Sequence, residues 1–150
     1  MRGGSGAAAP LRVVLADDHP SYRASLARML RDSGFDVVHQ AANGDAAVRA
    51  TQELGPDMLV MDLSMPGMSG LAAIRRVARD APATRVLVLS VSAQEADVAT
   101  ALLAGAGGYV LKDRTLEEIV AAIRTVAAGR TYVSPGIAEM PMRSNREPGD

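Results

Sequence analysis

With 150 residues, 48% of them hydrophobic, the chain has room for one ordinary globular domain and enough apolar material to bury a core. A formal net charge of −1 gives it no general electrostatic attraction to nucleic acid or to a membrane surface. Cysteine is absent, which excludes disulfides and thiolate metal sites, and every apolar run is far too short to span a bilayer, so a cytoplasmic protein is expected.

Residues Met1 to Pro10, mostly Gly, Ala and Ser, lack the apolar stretch of a signal peptide and are expected to form a disordered leader. The first strand is expected at Arg12 to Ala16 and runs into Asp17-Asp18. His19 and Pro20 then open a helix whose apolar stripe is Tyr22, Leu26, Met29 and Leu30, and which stops at Gly34. Asp36 to Ala41 reads as a second strand, and its Gln40 and Ala41 suggest a sheet edge. A helix ending at Gly55 leads to a third strand, Asp57 to Met61, which delivers Asp62. Pro66 and Gly67 mark a loop before a helix striped by Leu71, Ile74 and Val77.

The fourth strand, Arg85 to Leu89, ends at Ser90. Ser92 and Glu95 match a capping box for the Ala-rich helix Ala93 to Ala104, which stops at Gly105. Gly108 to Leu111 is the fifth strand, followed by Lys112, the sole lysine in the chain. Thr115 and Glu118 match a second capping box, opening the clearest stripe: Leu116, Ile119, Val120, Ile123 and Val126 up to Gly129. Beyond it the periodicity dissolves, and residues 131–150 are expected to be linker or tail.

Strands that are nearly continuous Val, Leu and Met suit a parallel sheet covered on both faces. The order strand–helix, repeated five times, therefore predicts an α/β fold: a doubly wound (βα)5 three-layer sandwich with right-handed crossovers. Such sheets bind ligands beyond the carboxyl ends of their strands. Asp17, Asp18, Asp62, Ser90 and Lys112 all fall there. Taken singly, each has an ordinary explanation as a cap, a turn residue, a strand-end hydroxyl or a surface cation; together they form a pattern.

Two carboxylates about 4 Å apart repel by roughly 4 kcal/mol at an effective dielectric near 20, so this rim calls for a cation. Magnesium fits an all-oxygen inventory, whereas the lack of Cys and of a His pair disfavours zinc. A carboxylate in such a pocket can act as a nucleophile toward phosphorus and form an acyl phosphate.

At these positions the sequence resembles a response-regulator receiver domain. The resemblance is carried by Asp17-Asp18-His19-Pro20, by Asp62 through Gly70, by Ser90, and by Gly107 through Asp113, and it covers roughly residues 11–130. Val91-Ser92 and Leu111-Lys112-Asp113 are most similar to the NarL/FixJ (LuxR-type) subfamily of two-component transcriptional regulators. The resemblance implies a five-stranded, flavodoxin-like sheet of order 2-1-3-4-5. It implies Asp62 as phosphoacceptor, fed by a sensor histidine kinase. Asp17, Asp18, Asp62 and the backbone carbonyl of Ser64 would hold Mg2+, Lys112 would pair with the phosphoryl group, and Ser90 and Tyr109 would be the switch hydroxyl and switch aromatic. On phosphorylation Tyr109 would move into space vacated by Ser90 and reshape the face of the fourth helix, fifth strand and fifth helix. Relatives form homodimers through that face or through the first and fifth helices. Such a protein is not an enzyme beyond its own phosphorylation and dephosphorylation, and it reaches DNA only through a C-terminal effector domain, which this chain is expected to lack. Asp113 stands where many receivers have Pro, so a cis peptide after Lys112 is not assumed. The competing expectations are a phosphorylation-independent pseudo-receiver and, more remotely, an Asp-nucleophile phosphohydrolase.

Overall fold

Period-two alternation along each strand sends neighbouring side chains to opposite faces of a sheet, and this fixes the layers. The computed structural model describes residues 9–138. Its strands are β1 (Arg12–Ala16), β2 (Asp36–Ala41), β3 (Met58–Met61), β4 (Arg85–Ser90), β5 (Gly108–Leu111) and β6 (Tyr132–Val133). Its helices are α1 (Pro20–Asp32), α2 (Gly44–Leu54), α3 (Gly70–Asp80), α4 (Glu95–Ala104), α5 (Leu116–Ala127) and a short α6 (Pro135–Ala138). All strand pairs are parallel, in the order β2-β1-β3-β4-β5-β6.

Val13, Leu15, Met58, Val60, Leu87, Leu89 and Val110 point to one face, where they meet Leu26 and Leu30 of α1 and Ile119, Ile123 and Val126 of α5. Their neighbours Val14, Ala16, Leu59, Met61, Val86, Val88 and Tyr109 point to the other, against α2, α3 and α4. Leu, Ile and Val side chains buried to this degree each contribute about 1.5–3 kcal/mol. Each layer thus follows directly from the strand alternation and the helix stripes.

Helix ends obey local chemistry. Asn43, Ser69 and Thr115 cap α2, α3 and α5 by accepting a backbone N–H, and Gly34, Gly55, Gly105 and Gly129 all take positive φ at or just past helix C-termini. The Ser92–Glu95 capping box does not form. Gln94 is the N-cap of α4 and makes no side-chain cap bond, while Ser92 donates its hydroxyl to Asp97 instead.

The expected five-stranded order holds, with one addition. Within the stretch expected to be linker, Tyr132 and Val133 pair with Gly108 and Tyr109, so the sheet has six strands. A two-residue strand carries no readable periodicity, which is why the sequence pattern does not announce it. Gly108 admits it: a Cβ there would sit 2.8 Å from the Tyr132 carbonyl oxygen and 2.9 Å from Val126. The described residues contain no cis peptide bond, so Lys112–Asp113 is trans. The leader expected at residues 1–10 lies outside the described residues up to residue 8, and so does the tail from 139. Among the described residues no helix is long and apolar enough to cross a membrane.

Candidate functional site

Strand order reverses at β1, which has β2 on one side and β3 on the other, and the crevice beyond their carboxyl ends is where such sheets bind ligands. Extensions of the sheet's own hydrogen bonding aim the residues there. Asp17 N–H donates to Ala41, Asp62 N–H to Ala16 and Lys112 N–H to Ser90, so each strand-end residue is fixed by the neighbouring strand. Arg23, one turn into α1, donates to the Asp17 carbonyl at 2.7 Å and holds the acidic loop from below.

The expected residues converge. Ligand atoms of Asp17, Asp18, Asp62 and His19 all lie within 4.8 Å of one another. Lys112 Nζ bridges two of the acids, 2.6 Å from Asp17 Oδ2 and 3.0 Å from Asp62 Oδ2. Asp17 and Asp62 are buried, and Asp18 faces partly outward. Burial alone would raise the Asp17 pKa. The hydrogen bonds it accepts from Lys112 and from the His19 N–H, with the lysine's charge, outweigh that and hold it below its usual range. Burial likewise opposes the charge on Lys112, but its two carboxylate partners win and raise its pKa.

Backbone donors brace the loops after β3 and β4. Ser64 N–H donates to Asp62 Oδ1 at 3.1 Å, and Ser90 Oγ, itself buried, accepts from Ser92 N–H at 3.1 Å and also lies within hydrogen-bonding reach of the Tyr109 hydroxyl. A cleft of about 250 Å3 opens between them, lined by Leu63, Ser64, Ser69, Gly70, Ser90 and Ser92 among others.

The donor set suits a hard divalent cation. Asp18 Oδ1 is buried and makes no hydrogen bond of good geometry: His19 Nδ1 lies 3.3 Å away, and its other neighbours in the cluster are carboxylates, which cannot donate. An oxygen-seeking ion would satisfy it. Asp17, Asp18 and Asp62, whose carboxylate oxygens cluster, are residues that could hold such an ion.

The Tyr109 ring is fully buried, and its hydroxyl donates to the Ser92 carbonyl at 2.8 Å. Small residues on α4, Val98 and Ala101, leave the ring its place in the same apolar cluster.

Two site residues lie beyond the sequence reading. His19, expected to be only the start of a helix, is indeed the N-cap of α1, but its Nδ1 also lies 3.2 Å from Asp17 and 3.3 Å from Asp18. Tyr22, read as part of an apolar stripe, puts its ring 4.7 Å from Lys112 Nζ. The available signal was its spacing: Tyr22 lies one helical turn past Asp18, on the side of α1 that faces the rim.

Residues 13–124 match the family model described as the response regulator receiver domain. The chain is 42% identical over 130 residues to response regulator GacA of Pseudomonas aeruginosa, covering 86% of this chain and 61% of that protein. It is 36% identical over 141 residues to the nitrate/nitrite response regulator NarL of Escherichia coli, covering 91% of this chain and 65% of the relative. It therefore spans less than two thirds of the length of these relatives. Among solved structures, the NarL signal receiver domain of Mycobacterium tuberculosis superimposes with a TM-score of 0.79 at 39% identity, covering 82% of this chain and 100% of that one. A LuxR-family two-component response regulator of Aurantimonas superimposes with a TM-score of 0.85 at 37% identity, covering 92% and 99%. With family model, fold and relatives in agreement, this chain belongs to the response regulator receiver domain family, within its NarL/FixJ (LuxR-type) branch.

Proposed function

We propose that the domain is a phosphorylation switch in which Asp62 accepts a phosphoryl group from a sensor histidine kinase. The observation that carries this reading is the convergence of Asp17, Asp18 and Asp62 on one pocket with the only lysine bridging two of them. In the transfer, an Asp62 carboxylate oxygen attacks phosphorus, the phosphorus–nitrogen bond to the donor imidazole breaks, and the bond's electron pair leaves with the ring. Positioning and charge neutralisation account for most of the rate in such reactions. Lys112 then exchanges its contact with Asp17 for a phosphoryl oxygen, and the Ser90 hydroxyl donates to another. Mg2+ bound by Asp17, Asp18, Asp62 and the Ser64 carbonyl would offset the charge of the acids and the incoming phosphoryl group.

Chemistry is confined to the domain's own phosphorylation and dephosphorylation. Output would pass to transcription through an effector domain that contacts DNA. For a homodimer, the α1–α5 face has the better support. An open groove lies there, floored by Leu116, Val120 and Ala121 and rimmed by Glu117 and Arg124, whereas the outer edge of β5 is already paired with β6.

The test is intact-mass spectrometry after incubation with acetyl phosphate and Mg2+. A gain of one phosphoryl group is expected, lost in Asp62→Asn and removed by hydroxylamine. A folded wild-type protein that never gains the group would instead be a pseudo-receiver, and sustained turnover of assorted phosphate esters would mark a hydrolase.

A further inference from the structure

The segment that follows α5 is bound to the strand that carries the switch residues. Ser134 N–H donates to the Tyr109 carbonyl at 3.0 Å, and Leu111 N–H donates to Ser134 Oγ at 3.1 Å. Ser134 Oγ in turn donates to Glu118 Oε2 at 3.0 Å, and the Tyr132 hydroxyl donates to the same carboxylate oxygen, also at 3.0 Å. Ser134 is completely buried, and Ile137, 1% exposed, belongs to the apolar cluster that holds Tyr109 and Val98 and Ala101 of α4. Residues 132–138 thus run from the β5 edge to the α4 side.

Glu118 is the unusual participant. In a capping box its carboxylate would reach back to the backbone of Thr115. Thr115 does cap α5, accepting the Glu118 N–H at 3.2 Å, but the Glu118 side chain goes to the two hydroxyls of the segment. A hydrogen bond to a charged acceptor is worth roughly twice a neutral one, so one carboxylate accounts for much of what holds residues 132–134 down. The bonds also fall on the strand that matters. Tyr109 and Leu111 give the segment their backbone groups, and the next residue, Lys112, holds Asp17 and Asp62.

We propose that residues 132–138 form a strap, latched by Glu118, whose docking is coupled to the state of the Asp62 pocket through β5. This rests on the phosphoacceptor reading of Asp62. Coupling of this kind is reciprocal: whatever loosens the strap must also change the free energy of loading the pocket.

The experiment is hydrogen–deuterium exchange on the full 150-residue chain, with and without beryllofluoride and Mg2+ as the acyl-phosphate mimic. In the unloaded wild type, residues 132–137 should exchange far more slowly than a free peptide. Loading should change their protection severalfold, together with residues 62–66 and 112. Glu118→Ala should speed exchange at 132–137 about tenfold or more, as loss of a charge-assisted acceptor dictates. Peptides from β1 and β3 should stay protected, and beryllofluoride affinity should shift. The milder pair Tyr132→Phe with Ser134→Ala should reproduce the effect if Glu118→Ala compromises α5. A pocket that loads while 132–137 stays unchanged overturns the coupling and spares the phosphoacceptor reading. No change at 62–66 on adding beryllofluoride overturns both. Free-peptide exchange at 132–137 in the wild type, or no effect of either variant set, eliminates the strap.

Discussion

Lys112→Met would remove the one ammonium from a pocket where the oxygens of Asp17, Asp18 and Asp62 lie within 4.8 Å of one another. At that separation two full charges repel by about 3–4 kcal/mol at an effective dielectric near 20. On the same scale the ammonium, at 2.6 and 3.0 Å, attracts each of its partners by roughly 5–6 kcal/mol. Desolvation offsets most of that attraction, and removing one member of a buried charge cluster typically costs about 3–5 kcal/mol. The Lys112 side chain is 12% exposed, so some solvent screening applies and the lower figure, about 3 kcal/mol, is appropriate. For a domain of this size that corresponds to a fall in Tm of about 10–15 °C. Thermal unfolding followed by circular dichroism in EDTA should show it. Mg2+ should then narrow the gap, since a ligand at 100 times its Kd stabilises by about 2.7 kcal/mol and the variant has no ammonium competing for the acids. A variant that melts at the wild-type temperature in EDTA, or whose deficit Mg2+ leaves untouched, would refute the reasoning.

Three further outcomes are expected. Gly70→Ala should destabilise by about 1–3 kcal/mol in urea unfolding, because a Cβ there would lie 2.6 Å from the Leu63 carbonyl oxygen and 2.7 Å from its Cα, and backbone cannot yield as a side chain can. The same variant should lower the rate of labelling at Asp62, whose loop it displaces. Asp17 has its pKa lowered on folding, burial being outweighed by Lys112 and His19, so its stabilisation is present above the unfolded value and lost as pH falls through the folded one. Metal-free stability should therefore drop below about pH 4, and Asp17→Asn should flatten that acid limb. Tyr109→Phe removes the donor to the Ser92 carbonyl, which should cost about 1 kcal/mol and speed amide exchange in residues 91–94.

What was legible in the sequence was whatever repeats with a period or sits at a fixed offset from one. β1, β2 and β5 fall where expected, because runs of Val and Leu bounded by acids or glycines leave little choice of register. The rim residues follow from the strand ends. The misses share a different cause. β6 is two residues long and is stabilised by Gly108 and Glu118, both well removed from it along the chain. The Ser92–Glu95 box fails because Ser92 finds a better acceptor in Asp97 and its own carbonyl is taken by Tyr109. Tyr22 is invisible as a site residue because an aromatic stripe position and a cation-facing ring look alike in one dimension.

β5 is held along both edges at the point where a phosphoryl group would act. On the β4 side Lys112 N–H is bonded to the Ser90 carbonyl, and on the β6 side Leu111 N–H is bonded to Ser134 Oγ. A pull on the Lys112 side chain therefore cannot be absorbed by one loop alone; the β4–α4 connection and residues 132–134 must both respond or both resist. Tyr109 links the two, since its hydroxyl holds Ser92 and its carbonyl holds Ser134. A small shift of this doubly clamped strand would therefore reach both sides at once. Packed elements respond to such shifts by changing between discrete arrangements rather than by bending continuously. A loaded pocket that moved residues 91–94 while leaving Ser134 N–H protection unaltered would show that β5 is not clamped in this way.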